Sequence, residues 1–334
     1  MNPQQLTRDF VKIESLTPNE QDFAEYVEAT LTGSGWIVER IPAIEDRWNL
    51  YARPSVDKEP VVVFCSHMDT VAPHIPLDED DEYIYGRGSC DAKGVIACMI
   101  GAMDELHQSG ESRTGLLLTV GEEVDSVGAK AANDHSPASV RYTVVGEPTE
   151  NVLITGQKGI YLVDITTTGT SAHSAYPHLG ESAVTKLLDI LGRIRSATLP
   201  ADPELGETTV NISMLTGGDR YNVIPDSAGA GLLFRVSTAT DDVEQIVSDS
   251  VKGLGEFTVV NKSEPQKLVK IPEFEQGIVA FGSDVPYLTN WGERLMLGPG
   301  SIHDAHTEGE KISKSQMKEA VEKYVRIAKY LLTQ

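Results

Sequence analysis

A chain of 334 residues with 40% hydrophobic content can bury a large core, and its length suggests two domains. Its 28 basic and 50 acidic residues leave a net charge of −22, which disfavours nucleic acid and anionic membrane surfaces as partners. The opening MNPQQLTRDFVKIES shows neither the basic nor the apolar part of a signal peptide, and the longest apolar stretch, Gly94–Met103, is about half the ~20 residues of a membrane helix. Cys65, Cys90 and Cys98 are odd in number and form no C-x-x-C pair, so a reduced cytoplasm is expected.

Along the chain, residues 21–32 read as an amphipathic helix, and Trp36–Ile41 and Asn49–Ala52 as strands. Pro60–Ser66 is a continuous apolar run, which suits a strand buried on both faces. Gly94–Gln108 reads as a helix, and Gly115–Val120 and Arg141–Gly146 as further buried strands. This alternation predicts an α/β fold, a mostly parallel sheet with helices on both faces. The pattern changes near Gly159. Ile160–Gly169 alternates apolar and polar residues like a half-exposed antiparallel strand, followed by helix Glu181–Arg195 and a loop at 199–206. Strands Thr208–Leu215 and Ala228–Ser237, helix Asp241–Gly253 and strand Phe257–Asn261 complete a β-α-β-β-α-β order, a small two-layer domain inserted into the larger one. From about Leu268 the chain is expected to return to the first domain and end in helix Lys314–Thr333.

Several strand ends carry groups able to bind metal. In SHMDTV, His67 and Asp69 point the same way at period two, so His67 can bind a cation while Asp69 supports its ring from behind. The plain alternative is a strand-end His with a solvated Asp. Asp91, in YGRGSCDAKG, precedes a helix, where a metal ligand and an ordinary N-cap compete. Asp91 also stands where a dinucleotide loop needs its third glycine, and Cys90 beside it reads as packing. Glu122 and Glu123 leave the apolar run of LLLTVGEEVDSVGA, costly for two carboxylates unless cations or donors receive them. Adjacent residues face different directions, so one can bind metal while the other faces a substrate; the alternative is a charged loop tip. Glu147 repeats the theme in VVGEPT, and in GPGSIHDAHTEGE His306 is the preferred ligand and His303 the fallback. His67, Asp91, Glu123, Glu147 and His306, with Glu122 as candidate general base, make a donor set for two divalent cations and point to metal-assisted hydrolysis.

In order, SHMDTV, GRGSCDAKG, GEEVDSVGA, GEPT, TGTSAHSAYPHLGESA, GGDRYNVIPDSA and DAHTEGE resemble the co-catalytic di-zinc family of acetylornithine deacetylase, succinyl-diaminopimelate desuccinylase, aminoacylase and glutamate carboxypeptidase, over residues 66–310. The resemblance implies a catalytic domain at 1–157 and 269–334 and an inserted lid that forms a homodimer at 158–268. It implies two Zn²⁺, with Co²⁺ as a substitute, bridged by Asp91: one also held by His67 and Glu147, the other by Glu123 and His306. Glu122 would be the general base and Asp69 the support of His67. His173 and Asn222 would polarise the scissile carbonyl, His173 in the partner's site, and Arg235 would pair with a substrate carboxylate. On the residues alone these three read as a turn His, a turn Asn and a strand-edge Arg.

The expected reaction is hydrolysis of the amide of a small N-acyl amino acid, as in the acetylornithine and acetyl-lysine deacetylase branch, by a cation-activated water with Glu122 as base. A dipeptidase or tripeptidase of the same family is the alternative, and a non-catalytic binding protein on the same fold a further one. An oxidoreductase is disfavoured by the missing dinucleotide fingerprint and a serine hydrolase by the missing G-x-S-x-G elbow.

Overall fold

The computed structural model describes residues 1–54 and 58–334. The chain divides into two compact units, one comprising residues 1–155, 268–277 and 283–334, the other 156–267 and 278–282.

The first unit is built on a twisted sheet whose order runs Ile37–Ile44, Arg47–Arg53, Thr114–Thr119, Val62–His67, Tyr142–Val145, Glu293–Met296 and then Leu153–Gln157. The four strands from Thr114–Thr119 to Glu293–Met296 are mutually parallel, with antiparallel strands on both flanks. Val62–His67 and Thr114–Thr119 are buried along their whole length, as their uninterrupted apolar composition requires of strands covered on both faces. Helix Lys93–Gln108 is buried over its first eleven residues and packs with helices Pro3–Val11 and Lys314–Leu331. Gln21–Gly33 and Val127–Ala132 pack instead on the flank made by the first two strands. Helix starts follow local chemistry. Ser313 Oγ accepts from Gln316 N at the last helix, and Asn2 Oδ1 accepts from Gln5 N ahead of Pro3 at the first.

The second unit is a four-stranded antiparallel sheet in the order Thr209–Gly217, Ser227–Val236, Gly159–Thr168, Glu256–Ser263. Alternate residues of the central strands (Tyr161, Val163, Ile165, Leu232, Phe234) meet Leu187, Ile190 and Ile194 of helix Ala183–Ser196, and Val243 and Val247 of helix Thr240–Val251. Ser182 caps the former helix through Thr185 N, so it begins two residues later than the sequence suggests. Residues 278–282 belong with this unit, because Val279 O accepts from Lys158 N and Phe281 O from Gln157 Nε2.

Other elements are too short to stand out in the sequence. Pro3–Val11 is short, and Glu293–Met296 spans four residues. Asp78–Glu79, Tyr83–Tyr85 and Lys311–Ser313 form a small separate sheet.

Much of the acidity is on the surface; Asp78 to Glu82 is an unbroken run of five exposed carboxylates. Mutual repulsion of such charges opposes the compact state and is screened by salt. The melting temperature should therefore rise between 0.1 and 1 M KCl, by roughly 2–4 °C for each kcal/mol recovered. Calorimetry or circular dichroism checks it, and a flat or falling trend rules this out.

Candidate metal centre

The acids and imidazoles of interest leave the carboxyl ends of the parallel strands. His67 ends Val62–His67, Glu122 and Glu123 follow Thr114–Thr119, Glu147 follows Tyr142–Val145, and the loop after Glu293–Met296 carries His306. Open α/β sheets bind ligands at this edge. Gly121 turns the chain there with φ +73°, and a side chain at that position would strike Arg47 and Val127.

Asp91 lies at the middle of the group. It does not cap the following helix, which starts at Lys93 with no side-chain cap. Its Oδ1 is 3.0 Å from His67 Nε2 and its Oδ2 3.4 Å from His306 Nε2. His306 Nε2 is also 3.0 Å from both oxygens of Glu123. One donor atom each from His67, Asp91 and Glu123 lies within 4.8 Å of the other two, so the three face one common space. Glu147 is buried and feels the charges of Glu122, His67 and Asp91. His306 takes a left-handed backbone, φ +62°, which costs a non-glycine residue about 1–3 kcal/mol and recurs where function fixes the geometry. His303, the fallback ligand, is exposed.

The donor chemistry fits cations. His67 Nδ1 contacts the main-chain oxygen of Asp69 at 3.1 Å, and a carbonyl can only accept, so Nδ1 carries its proton. Nε2 then faces a carboxylate oxygen, which demands either a second proton or a cation between them. With protons alone, burial works against a charged His67, but Asp69 and Asp91 outweigh it and raise its pKa well above the ordinary value. Hydrogen bonds to Asp91 and Glu123 push His306 up to about 10. Burial would raise Asp91, yet its bonds to the two imidazoles hold it below the usual carboxylate range. Burial pushes Glu122, Glu123 and Glu147 up.

Asp69 stands behind His67 as the spacing suggests. Its main-chain oxygen is 3.1 Å and its carboxylate 3.5 Å from His67 Nδ1, so both face the ring. That carboxylate mainly orders the next loop, accepting from Glu122 N and Glu123 N at 3.1 Å and from Thr17 Oγ1 at 2.7 Å. Cys90 is packing: its thiol is buried, is driven up by burial and the charges of Asp91 and Glu310, and meets Ser301 O at 3.4 Å.

In the second unit, His173 and Asn222 share one loop cluster: His173 pairs with Val223, and Ser174 N donates to Asn222 O. Arg235 is not with them. It lies near the far end of Ser227–Val236, eight residues beyond the strand's start, roughly 25 Å along an extended chain. Phe234 and Val236 enter the helix-covered core, so Arg235 projects from the other side. Its Nη1 is shielded from water and has no hydrogen-bond partner among the described residues, and burial lowers its pKa.

Sequence reasoning missed three buried charged residues near this edge. Glu310 and Arg87 form an ion pair beside Asp91. Asp284, pushed by burial to about 6, accepts from Thr119 Oγ1 at 2.6 Å, and its charge raises Glu122 further. Only the polar residue closing an apolar strand, Thr119, hinted at a buried partner.

The profile of peptidase family M20/M25/M40 matches residues 63–330. A probable carboxypeptidase of Aspergillus terreus is 36% identical over 364 residues, covering 96% of this chain and 84% of the relative. A tripeptidase of Staphylococcus aureus shares the fold with a TM-score of 0.84 at 21% identity, covering 100% of this chain and 98% of the other. A dinuclear metal-binding M20 peptidase of Bacillus subtilis does so with a TM-score of 0.74 at 12% identity, covering 99% and 97%. Because the matched segment holds every donor from His67 to His306 and the whole smaller unit, the chain belongs to peptidase family M20/M25/M40, metal-dependent hydrolases acting on C–N bonds.

Proposed function

We propose that this enzyme hydrolyses the amide bond of a small N-acyl amino acid, leaving a carboxylate and a free amino acid. The observation that carries the reading is Asp91 offering one oxygen toward each of two imidazoles, as a carboxylate shared by two cations must. His67 and Glu147 would complete one position, Glu123 and His306 the other. Zinc is the first choice of ion, with cobalt as a substitute. Bound there, two such cations would supply Lewis-acid polarisation of the amide and lower the pKa of a bound water to ~7.

Glu122 does the proton work. Its place beside Glu123 at the end of Thr114–Thr119 suits a group that takes a proton from the attacking water and returns it to the departing amine. Asp69 fixes the Glu122–Glu123 turn through two backbone N–H groups. Arg235, whose buried Nη1 has no hydrogen-bond partner among the described residues, is suited to a substrate carboxylate, which favours substrates ending in a free carboxyl group over those read by a free amine. The Aspergillus relative named a probable carboxypeptidase favours a second reading, release of a carboxyl-terminal residue from a short peptide. The same arginine serves both.

His173 and Asn222 would polarise the scissile carbonyl. The strand length between that loop cluster and Arg235 far exceeds a small N-acyl amino acid, which supports a homodimer in which His173 serves the partner's substrate. Edge strand Thr209–Gly217, exposing Met214 and Leu215, suits such pairing. No described helix is long and apolar enough to cross a membrane, and three free buried cysteines fit a reducing cytoplasm.

Glu122→Gln is expected to keep two cations per chain by metal analysis while kcat falls about 10²–10⁴-fold; substantial turnover would remove Glu122 from its role. A panel of N-acetylornithine, N-acetyl-lysine, N-acetylcitrulline and N-succinyl amino acids against dipeptides and tripeptides tests the substrate class. On the best of these, Arg235→Leu should raise KM by about 10–100-fold, the worth of a charge-assisted pair. Amidating the substrate's carboxyl should cost the wild type as much, and an indifferent KM assigns Arg235 elsewhere. Mixing inactive Glu122→Gln with inactive His173→Ala should restore roughly a quarter of wild-type activity, because half of reassorted dimers are mixed and each carries one intact site. A mixture as inactive as its parts argues against the shared site.

A further inference from the structure

We infer that Glu310 is a positioning residue that sets Asp91 in place, with Arg87 holding the charge of that clamp. The inference rests on Asp91 being the shared metal ligand. Glu310 is 1% exposed, yet its carboxylate is fully engaged. Oε1 accepts three backbone N–H groups, from Gly88 at 2.9 Å and from Cys90 and Asp91 at 3.1 Å. Oε2 pairs with the buried guanidinium of Arg87, whose Nε donates to Pro73 O at 3.1 Å. The main-chain oxygen of Glu310 accepts from Gly86 N at 3.0 Å, so both parts of the residue grip the segment 86–91. Converging N–H groups form a nest for an anion, and here the anion comes from a residue more than two hundred positions away.

The consequence lies in what else Glu310's loop carries. His306 is four residues earlier, and its Nε2 approaches Asp91 Oδ2 and Glu123. One carboxylate thus fixes the height of Asp91 and ties it to the loop that presents His306. Supports of this kind around a ligand alter metal affinity by roughly 10–100-fold when removed.

The test is titration of the metal-free full-length protein with Co²⁺, followed by its visible absorption band, alongside thermal unfolding and steady-state kinetics. Glu310→Ala, which removes the acceptor, should bind Co²⁺ about 10–100-fold more weakly, with a shifted band and lower kcat but unchanged KM. The double variant Arg87→Met/Glu310→Gln removes both charges but keeps an oxygen for the three N–H groups, and should recover most of the affinity and the wild-type band. A folded Glu310→Ala protein with wild-type affinity and band overturns the inference. If that variant does not fold, Glu310→Asp decides, since it keeps the charge but withdraws the oxygen by one methylene; weaker binding supports the clamp and wild-type binding overturns it. A wild-type protein that binds no Co²⁺ sinks the metal reading itself, whatever the variants do.

Discussion

Like charges crowded into a dry place govern this molecule. Buried Asp91, Glu147 and Asp284 and half-buried Glu122 and Glu123 gather at one edge of a parallel sheet, where an ionised carboxylate without a partner is costlier than in water. Without cations, protons must relieve the crowding. Both imidazoles are drawn into the charged form against Asp91 and Glu123, while Glu122 and Glu147 are pushed toward the neutral one. Each proton held by a ligand is one that a cation must displace, so affinity for metal and affinity for protons compete at the same atoms.

Such an arrangement survives only if the scaffold is rigid where the charges are. Parallel strands buried on both faces supply that rigidity, and their ends are tied by acids that are not themselves donors. Asp69 takes the N–H groups of Glu122 and Glu123, and Glu310 takes those of Gly88, Cys90 and Asp91. Both carboxylates are met by backbone N–H groups, and Glu310 also by Arg87, so neither needs a cation. The left-handed backbone of His306 fits the same picture, a local strain tolerated because Glu310 fixes its loop.

How much was legible follows from the range of each interaction. Continuous apolar runs announced the strands Val62–His67 and Thr114–Thr119, and apolar/polar alternation announced Gly159–Thr168, because burial of a strand is a local property of its composition. The strand-end acids stood out because a carboxylate terminating an apolar run is locally incongruous. Asp91 on its own residues suited a helix cap as well as a ligand; it does not cap the helix, and it approaches His67 and His306. Glu310 and Asp284 were illegible for a different reason. Their partners lie more than two hundred and more than one hundred and sixty residues away, and in TEGE or GSDVP each reads as an ordinary polar loop. The paired guanidinium of Arg87 in YGRGSC was hidden in the same way.

The two populations of acids in this chain also bear on how it finds its ions. A surface carrying a net charge of −22 raises the local concentration of divalent cations over distances of about 10 Å at 0.1 M salt, and over only about 3 Å at 1 M. At the higher salt that long-range help is gone, and capture depends on donors already in place when an ion arrives. The backbone clamps on Asp91 and on the Glu122–Glu123 turn are short-range and buried, and salt does not weaken them. Surface acidity and buried donors held in place therefore act over different ranges, the one drawing cations in at low salt and the other independent of salt.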